Sequence, residues 1–172
     1  MPPISFQFEG LVVEFQPSVI ATMLSYRQRR FFSPESGGQM FAKLSPSYWR
    51  VEVATGPRSK DRRGRFHFWP DRLAEQAEIN KFYEQGLEFV GDWHTHPENI
   101  PRPSRNDIDS ADNIVRDSLH DLPGILMCII GRKNPPDGLW LSLHSRDGKM
   151  IEPFDEDGIS TNARRRRKVT WI

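Results

Sequence analysis

Residues 88–109 read EFVGDWHTHPENIPRPSRNDID, and the fold turns on how the first half of that stretch meets the second. EFVGDWHTH has the length and β-branched or aromatic content of a strand, in which alternate side chains face opposite ways. His94 and His96 therefore share one side, and Trp93 and Thr95 the other. Pro97, Pro101 and Pro103 stiffen a loop, and Ser104 opens a helix predicted over about residues 104–119. Asp107 falls in the first turn of that helix, so a strand running through prolines into a helix can bring two imidazoles and a carboxylate to one point. The plainer reading of Ser104 and Asp107 is a capping box, with Ser104 as N-cap and Asp107 at the third helical position. Both readings can hold for Ser104, whose hydroxyl can accept from a backbone N–H and still donate.

Working outward, LVVEF (11–15) reads as a strand, and Pro17 starts a helix whose apolar Val19, Ile20, Met23, Leu24 and Phe31 recur at three and four residues, with Arg27, Arg29 and Arg30 near its end. GGQMFAKL (37–44) and YWRVEVATG (48–56) form a hairpin around Ser45-Pro46-Ser47. SKDRRGR (59–65) reads as a solvated loop, RFHFW (65–69) as a short strand, and Pro70-Asp71 as the start of a second helix running to Gln85 and ended by Gly86. Beyond the third helix, GILMCIIG (124–131) and GLWLSLHS (138–145) are strands separated by a Pro-rich turn. The pattern is α/β, a mixed sheet of about six strands flanked by helices.

At 172 residues the chain is long enough for one domain with a real core. The N-terminus lacks a basic start followed by an apolar run, and no stretch approaches the roughly 18 apolar residues of a membrane span, so a cytoplasmic protein is expected. Cys128, the single cysteine, sits in an apolar run and reads as a packing residue. The formal charge of +1 divides unevenly. Residues 155–172 carry Arg164 to Arg167 and Lys168 against Asp155, Glu156 and Asp157, a net of +2, which leaves −1 for residues 1–154. The body is thus no basic nucleic-acid binder. A domain over 1–154 and a basic, flexible tail over 155–172 are expected, the tail's Val169, Trp171 and Ile172 being the one feature that also suits docking as an edge strand.

Two histidines and a carboxylate with a fourth position open describe a catalytic zinc site better than a structural one, which four residues would close. Such a site needs a base that is not itself a tight ligand. Glu35 fits, standing before Gly37 and Gly38, whose missing side chains let another backbone or an extended substrate approach. Asp92, on the strand face of His94, is a candidate to orient a ligand from behind, or a purely structural acid. His67, His120 and His144 read as surface or packing residues, and Glu98 as solvated.

Glu35-Ser36-Gly37-Gly38, then His94-Thr95-His96-Pro97, six residues, Ser104, two residues and Asp107, resembles the JAMM (JAB, MPN+) metalloproteases at full motif spacing. The resemblance implies a cytidine-deaminase-like α/β fold over roughly residues 10–154. It implies one zinc held by His94, His96 and Asp107, with Glu35 as general base and acid activating a zinc-bound water, Ser104 stabilising the oxyanion, and Gly37 and Gly38 as candidate substrate contacts. The implied reaction is hydrolysis of the bond after the C-terminal glycine of a ubiquitin-like protein. The compact form is most similar to small bacterial members of CBASS antiphage operons, which release a nucleotidyltransferase that an E1/E2-like partner has conjugated. Sulfur-carrier processing proteases and RadC-type proteins share the motif, and ligand-free members of the fold act as scaffolds. The family often has Leu after Gly-Gly where this chain has Gln39-Met40, a departure expected to alter packing or substrate contact. A metallo-β-lactamase-like site would need Asp and His where Glu98 and Asn99 stand, and an amidohydrolase barrel needs about 250 residues.

Overall fold

The computed structural model describes residues 2–162. Eight strands form one sheet in the order β1-β2-β4-β3-β7-β8-β9-β10: β1 Ile4–Phe8, β2 Leu11–Phe15, β3 Gly37–Ser45, β4 Tyr48–Ala54, β7 Glu88–Thr95, β8 Gly124–Ile130, β9 Leu139–Ser145 and β10 Met150–Ile151. A separate hairpin pairs β5 Arg62–Gly64 with β6 His67–Trp69. Helices α1 Pro17–Ser25, α2 Arg72–Glu84 and α3 Arg105–Asp117 complete the elements named among the described residues. The sheet is mixed, with parallel pairs β2/β4 and β7/β8 and antiparallel neighbours elsewhere.

The two faces of the sheet have different tasks. Residues in register share a face, so Trp93 stands beside Cys128 and, one step on, His94 beside Ile129. The Trp93 face carries the main core, with Val19, Ile20, Met23, Leu126, Cys128 and Ile130 all buried, and Tyr26 at the end of α1 packs on Trp93 at 5.9 Å between ring centroids. Cys128 is therefore packing, as its sequence neighbourhood suggested. On the His94 face α3 covers a smaller cluster of Ala111, Met127, Ile129 and Trp140, and α2 presses Phe82 on Phe41 at 4.3 Å. Strand β8 is apolar throughout because it is covered on both faces.

Three sequence expectations are corrected. The first helix stops at Ser25 instead of reaching Phe31, and the side chains that follow are tied by hydrogen bonds, most of them to distant segments. Arg27 Nη1 donates to Arg132 O and Asn134 Oδ1 at 3.1 and 2.8 Å, and the buried Gln28 donates to Ser33 O and Arg65 O at 3.0 and 2.9 Å. Phe31 is left exposed beneath the Arg65 guanidinium, 3.6 Å above its ring. The segment 59–65 is not simply a solvated loop, since Arg62–Gly64 is the first strand of the hairpin. The sheet also has more than six strands: ISFQF pairs with β2 through a turn at Gly10, whose φ of +72° suits glycine, and β10 adds an edge.

The expected tail begins at residue 155, but part of 155–162 packs on the fold, with Glu156, Asp157 and Gly158 exposed. Phe154 bridges to Gln7 and Ser160, and the buried Asn162 donates to Leu141 O at 2.9 Å. The arginine run lies outside the described residues. No helix among the described residues is long and apolar enough to cross a membrane.

Candidate active site

The register of β3 on β7 builds the site. Gly37 lies opposite His94 and Gly38 opposite Trp93, so Glu35, two residues before Gly37, arrives beside the histidines. A clamp on the far face holds it there. Thr95, between the two histidines, donates its N–H to Ser36 O at 2.8 Å, accepts from Ser36 N at 3.0 Å and donates its hydroxyl to Gln28 Oε1 at 3.3 Å. Glu35 N donates to Gly64 O at 2.7 Å, and Arg63 donates to Glu35 O at 2.8 Å and also to Ser36 Oγ. Thr95, Gln28 and Arg63 carry no motif of their own. The weak signal for Arg63 is an Arg-Gly step just before Phe66-His67-Phe68-Trp69, with Arg65-Phe66 as the turn between the two strands.

Helix α3 delivers Asp107. Its first turn is fixed by a capping box, in which Ser104 Oγ accepts from Asp107 N at 3.2 Å while Ser104 N donates to Asp107 Oδ2 at 2.6 Å. Both glycines are needed for closure inside the protein, since a Cβ on Gly38 would lie 2.2 Å from Thr55 O, and one on Gly37 would lie 2.7 Å from both the Phe68 ring and Trp93 O. The space left by both glycines is taken up by this chain. Gln39 is buried and accepts from Arg58 at 3.3 Å, and Met40 is core, so both residues after Gly-Gly are engaged in packing.

Four functional groups converge. His94 Nε2 and His96 Nε2 are 3.2 Å apart, the first 3.3 Å from Asp107 Oδ1 and the second 3.3 Å from Asp107 Oδ2, and His96 Nε2 is 3.5 Å from Glu35 Oε1. Two ring nitrogens aimed at each other and at carboxylates on both sides need a proton or a cation between them. For bonds of about 2.0–2.1 Å, donors on a tetrahedral ion are about 3.3–3.4 Å apart, which is the spacing seen here. Glu35, His94 and His96 also present atoms all within 4.8 Å of one another, so the two carboxylates flank the imidazoles from opposite elements.

Charge follows the geometry. Burial pushes Glu35 up to about 7, against the pull of His96 and with the help of Asp107. Asp107 is desolvated too, yet hydrogen bonds from His94 and His96 win and hold it far below the usual carboxylate range. His96 is desolvated as well, and its contact with Asp107 raises it on balance. Asp92 lies on the same face, lines the adjoining cavity and is raised to about 7, by burial first and then by the charge of Glu75. It contacts neither histidine by hydrogen bond among the described residues.

The remaining histidines are elsewhere. His67 is exposed and stacks on Trp69 at 4.7 Å. His144 is fully buried between Asp112, at 2.7 Å, and Ser142, at 3.2 Å. That row has the residue types of a serine-protease triad, but Ser142 has no exposure and no substrate can reach it.

Residues 17–142 match the family described as prokaryotic homologs of the JAB domain. This chain belongs to that family. It is 32% identical over 133 residues to a Vibrio cholerae protein named CD-NTase/cGAS isopeptidase, covering 75% of this chain and 80% of the relative. An Escherichia coli protein of the same name is 32% identical over 130 residues, covering 74% and 80%, and a Pseudomonas aeruginosa one is 29% identical over 149 residues, covering 84% and 91%. Among solved structures, one of a Desulfitobacterium hafniense protein shares the fold with a TM-score of 0.59 at 19% identity, covering 82% of this chain and 88% of that one.

Proposed function

We propose that this JAB-family protein is a zinc-dependent isopeptidase that cuts the bond after the C-terminal glycine of a conjugated nucleotidyltransferase or a ubiquitin-like protein, joined to its target by an E1/E2-like partner. The observation that carries the reading is the convergence of His94, His96 and Asp107 at about tetrahedral donor spacing, with Glu35 3.5 Å from His96, in a chain a third identical to proteins named CD-NTase/cGAS isopeptidase. The donor set of two imidazoles and a carboxylate suits zinc, with His94, His96 and Asp107 holding it. When bound, zinc supplies Lewis-acid polarisation of the scissile carbonyl and makes water a better acid.

The chain's own groups do the rest. Glu35, poised near neutrality by burial, takes a proton from the attacking water and returns it to the leaving amine. Ser104 Oγ accepts from Asp107 N, which leaves its O–H to donate to the carbonyl oxygen as negative charge develops there. Its N–H keeps Asp107 oriented at the same time.

The test is cleavage by purified full-length protein of a fusion carrying a nucleotidyltransferase C-terminus or a ubiquitin-like C-terminus, with metal content measured alongside. Cleavage that stops with chelator, returns with zinc and disappears in Glu35→Gln supports the reading. A protein that purifies without metal and cleaves neither fusion would be a scaffold on the same fold, and the proposal would fall.

A further inference from the structure

A metal centre and its base need little room, yet the site opens into a cavity of about 420 Å³ that continues along the sheet between the β6 region, α2 and α3. Phe68, Trp69, Ile114 and Met127 give it apolar walls, and two carboxylates, Asp92 and Glu75, line it together with Arg72. Glu75 is already partnered. It is buried and takes Arg72 at 2.8 Å and Arg58 at 3.8 Å. Arg58 is itself shared with Glu78 at 3.0 Å and Asp61 at 3.9 Å. Here four carboxylates, Asp61, Glu75, Glu78 and Asp92, face two guanidinium groups, Arg58 and Arg72.

Asp92 is the carboxylate left over. Its Oδ1 is shut off from solvent and has no hydrogen-bond partner among the described residues, although a buried carboxylate oxygen normally has one. Asp92 as a whole is only half-buried and lines the cavity, so its carboxylate can meet a partner that enters there. Asp92 lies two residues before His94 on one strand face, about 7 Å along it. Alternate side chains of an extended substrate have the same spacing. A cavity that offers both apolar wall and a carboxylate fits a side chain with a methylene stem and a cationic head.

We propose that Asp92, backed by Glu75, is a specificity-determining acid that takes the guanidinium or ammonium of a basic substrate residue within about two positions of the scissile bond. The inference rests on the isopeptidase reading for what enters the cavity, but binding tests it without catalysis. The probes are acetylated hexapeptide amides of Gly and Ala with one Arg at each position in turn, and matching peptides in which citrulline replaces Arg and removes only the charge. Calorimetry on zinc-loaded full-length protein should show at least one Arg peptide binding about 10-fold tighter than its citrulline twin. Asp92→Asn should erase that difference and leave the citrulline affinity unchanged, with zinc content measured to show that His94 is undisturbed. Glu75→Gln, remote from the metal ligands, should reduce it. Equal affinity of every Arg and citrulline pair, no binding by any peptide, or a preference that survives in Asp92→Asn overturns the proposal. Cleavage of the fusions by a protein with no Arg preference would overturn it while leaving the isopeptidase reading intact.

Discussion

Replacing Glu35 by Gln removes a charge that the fold holds at a loss, and the size of that loss can be worked out. An acid whose pKa rises on folding binds its proton more tightly in the folded chain, so stability falls as pH rises from the unfolded to the folded value. For Glu35 the window runs from 4.5 to about 7. At 1.36 kcal/mol per pKa unit, a shift of about 2.5 units costs about 3 kcal/mol once the carboxylate is ionised. The side chain is 8% exposed, so solvent screens little of it. In metal-free protein at pH 8, Glu35→Gln should therefore melt higher, by roughly 6–12 °C for a chain of this size. At pH 4 the wild-type carboxyl is already neutral and the gain should vanish. Zinc should shrink the gain at pH 8, since a nearby cation favours the carboxylate. Thermal unfolding in chelator at the two pH values decides the matter: a gain of equal size at both, or none at pH 8, would refute burial as the cause of the Glu35 shift.

Asp107→Ala should lose the zinc measured on purified protein, because it leaves two imidazoles to hold the ion; a stoichiometric metal content would remove Asp107 from the ligand set. Ser104→Ala loses the hydroxyl but keeps the backbone bond to Asp107, so it should retain zinc, cost about 1 kcal/mol as a lost N-cap, and slow the chemical step on the order of 10²-fold. Normal turnover in a variant that melts early would make Ser104 a cap alone. Removing residues 163–172 should leave zinc binding and cleavage of a short peptide intact and weaken turnover of a whole conjugate in a salt-dependent way. Cutting before Asn162 should also lower the melting temperature, since its buried bond to Leu141 is lost, and equal melting of the two truncations would count against that packing.

Much of the site could be read from residues 88–109 because its geometry is local. Strand alternation puts His94 and His96 on one face, and one helical turn after the prolines brings Asp107 back, each fixed by backbone periodicity within a few residues. The same holds for the capping box, the α2 N-cap at Asp71 and the buried run of β8. Glu35 could be singled out as the acid before a glycine pair, but only the pairing of β3 with β7 sets it 3.5 Å from His96. No periodicity encodes which strands pair. The end of α1, the strand hidden in a polar run and the clamp through Gln28, Thr95 and Arg63 likewise come with hydrogen bonds between residues 27 to 105 positions apart. The charge states belong to the tertiary structure as well: Glu35, Asp92 and Asp107 are ordinary carboxylates in the sequence. Burial raises the first two, and two imidazoles lower the third, because desolvation and Coulomb energy depend on what surrounds a group in space and not on its neighbours along the chain.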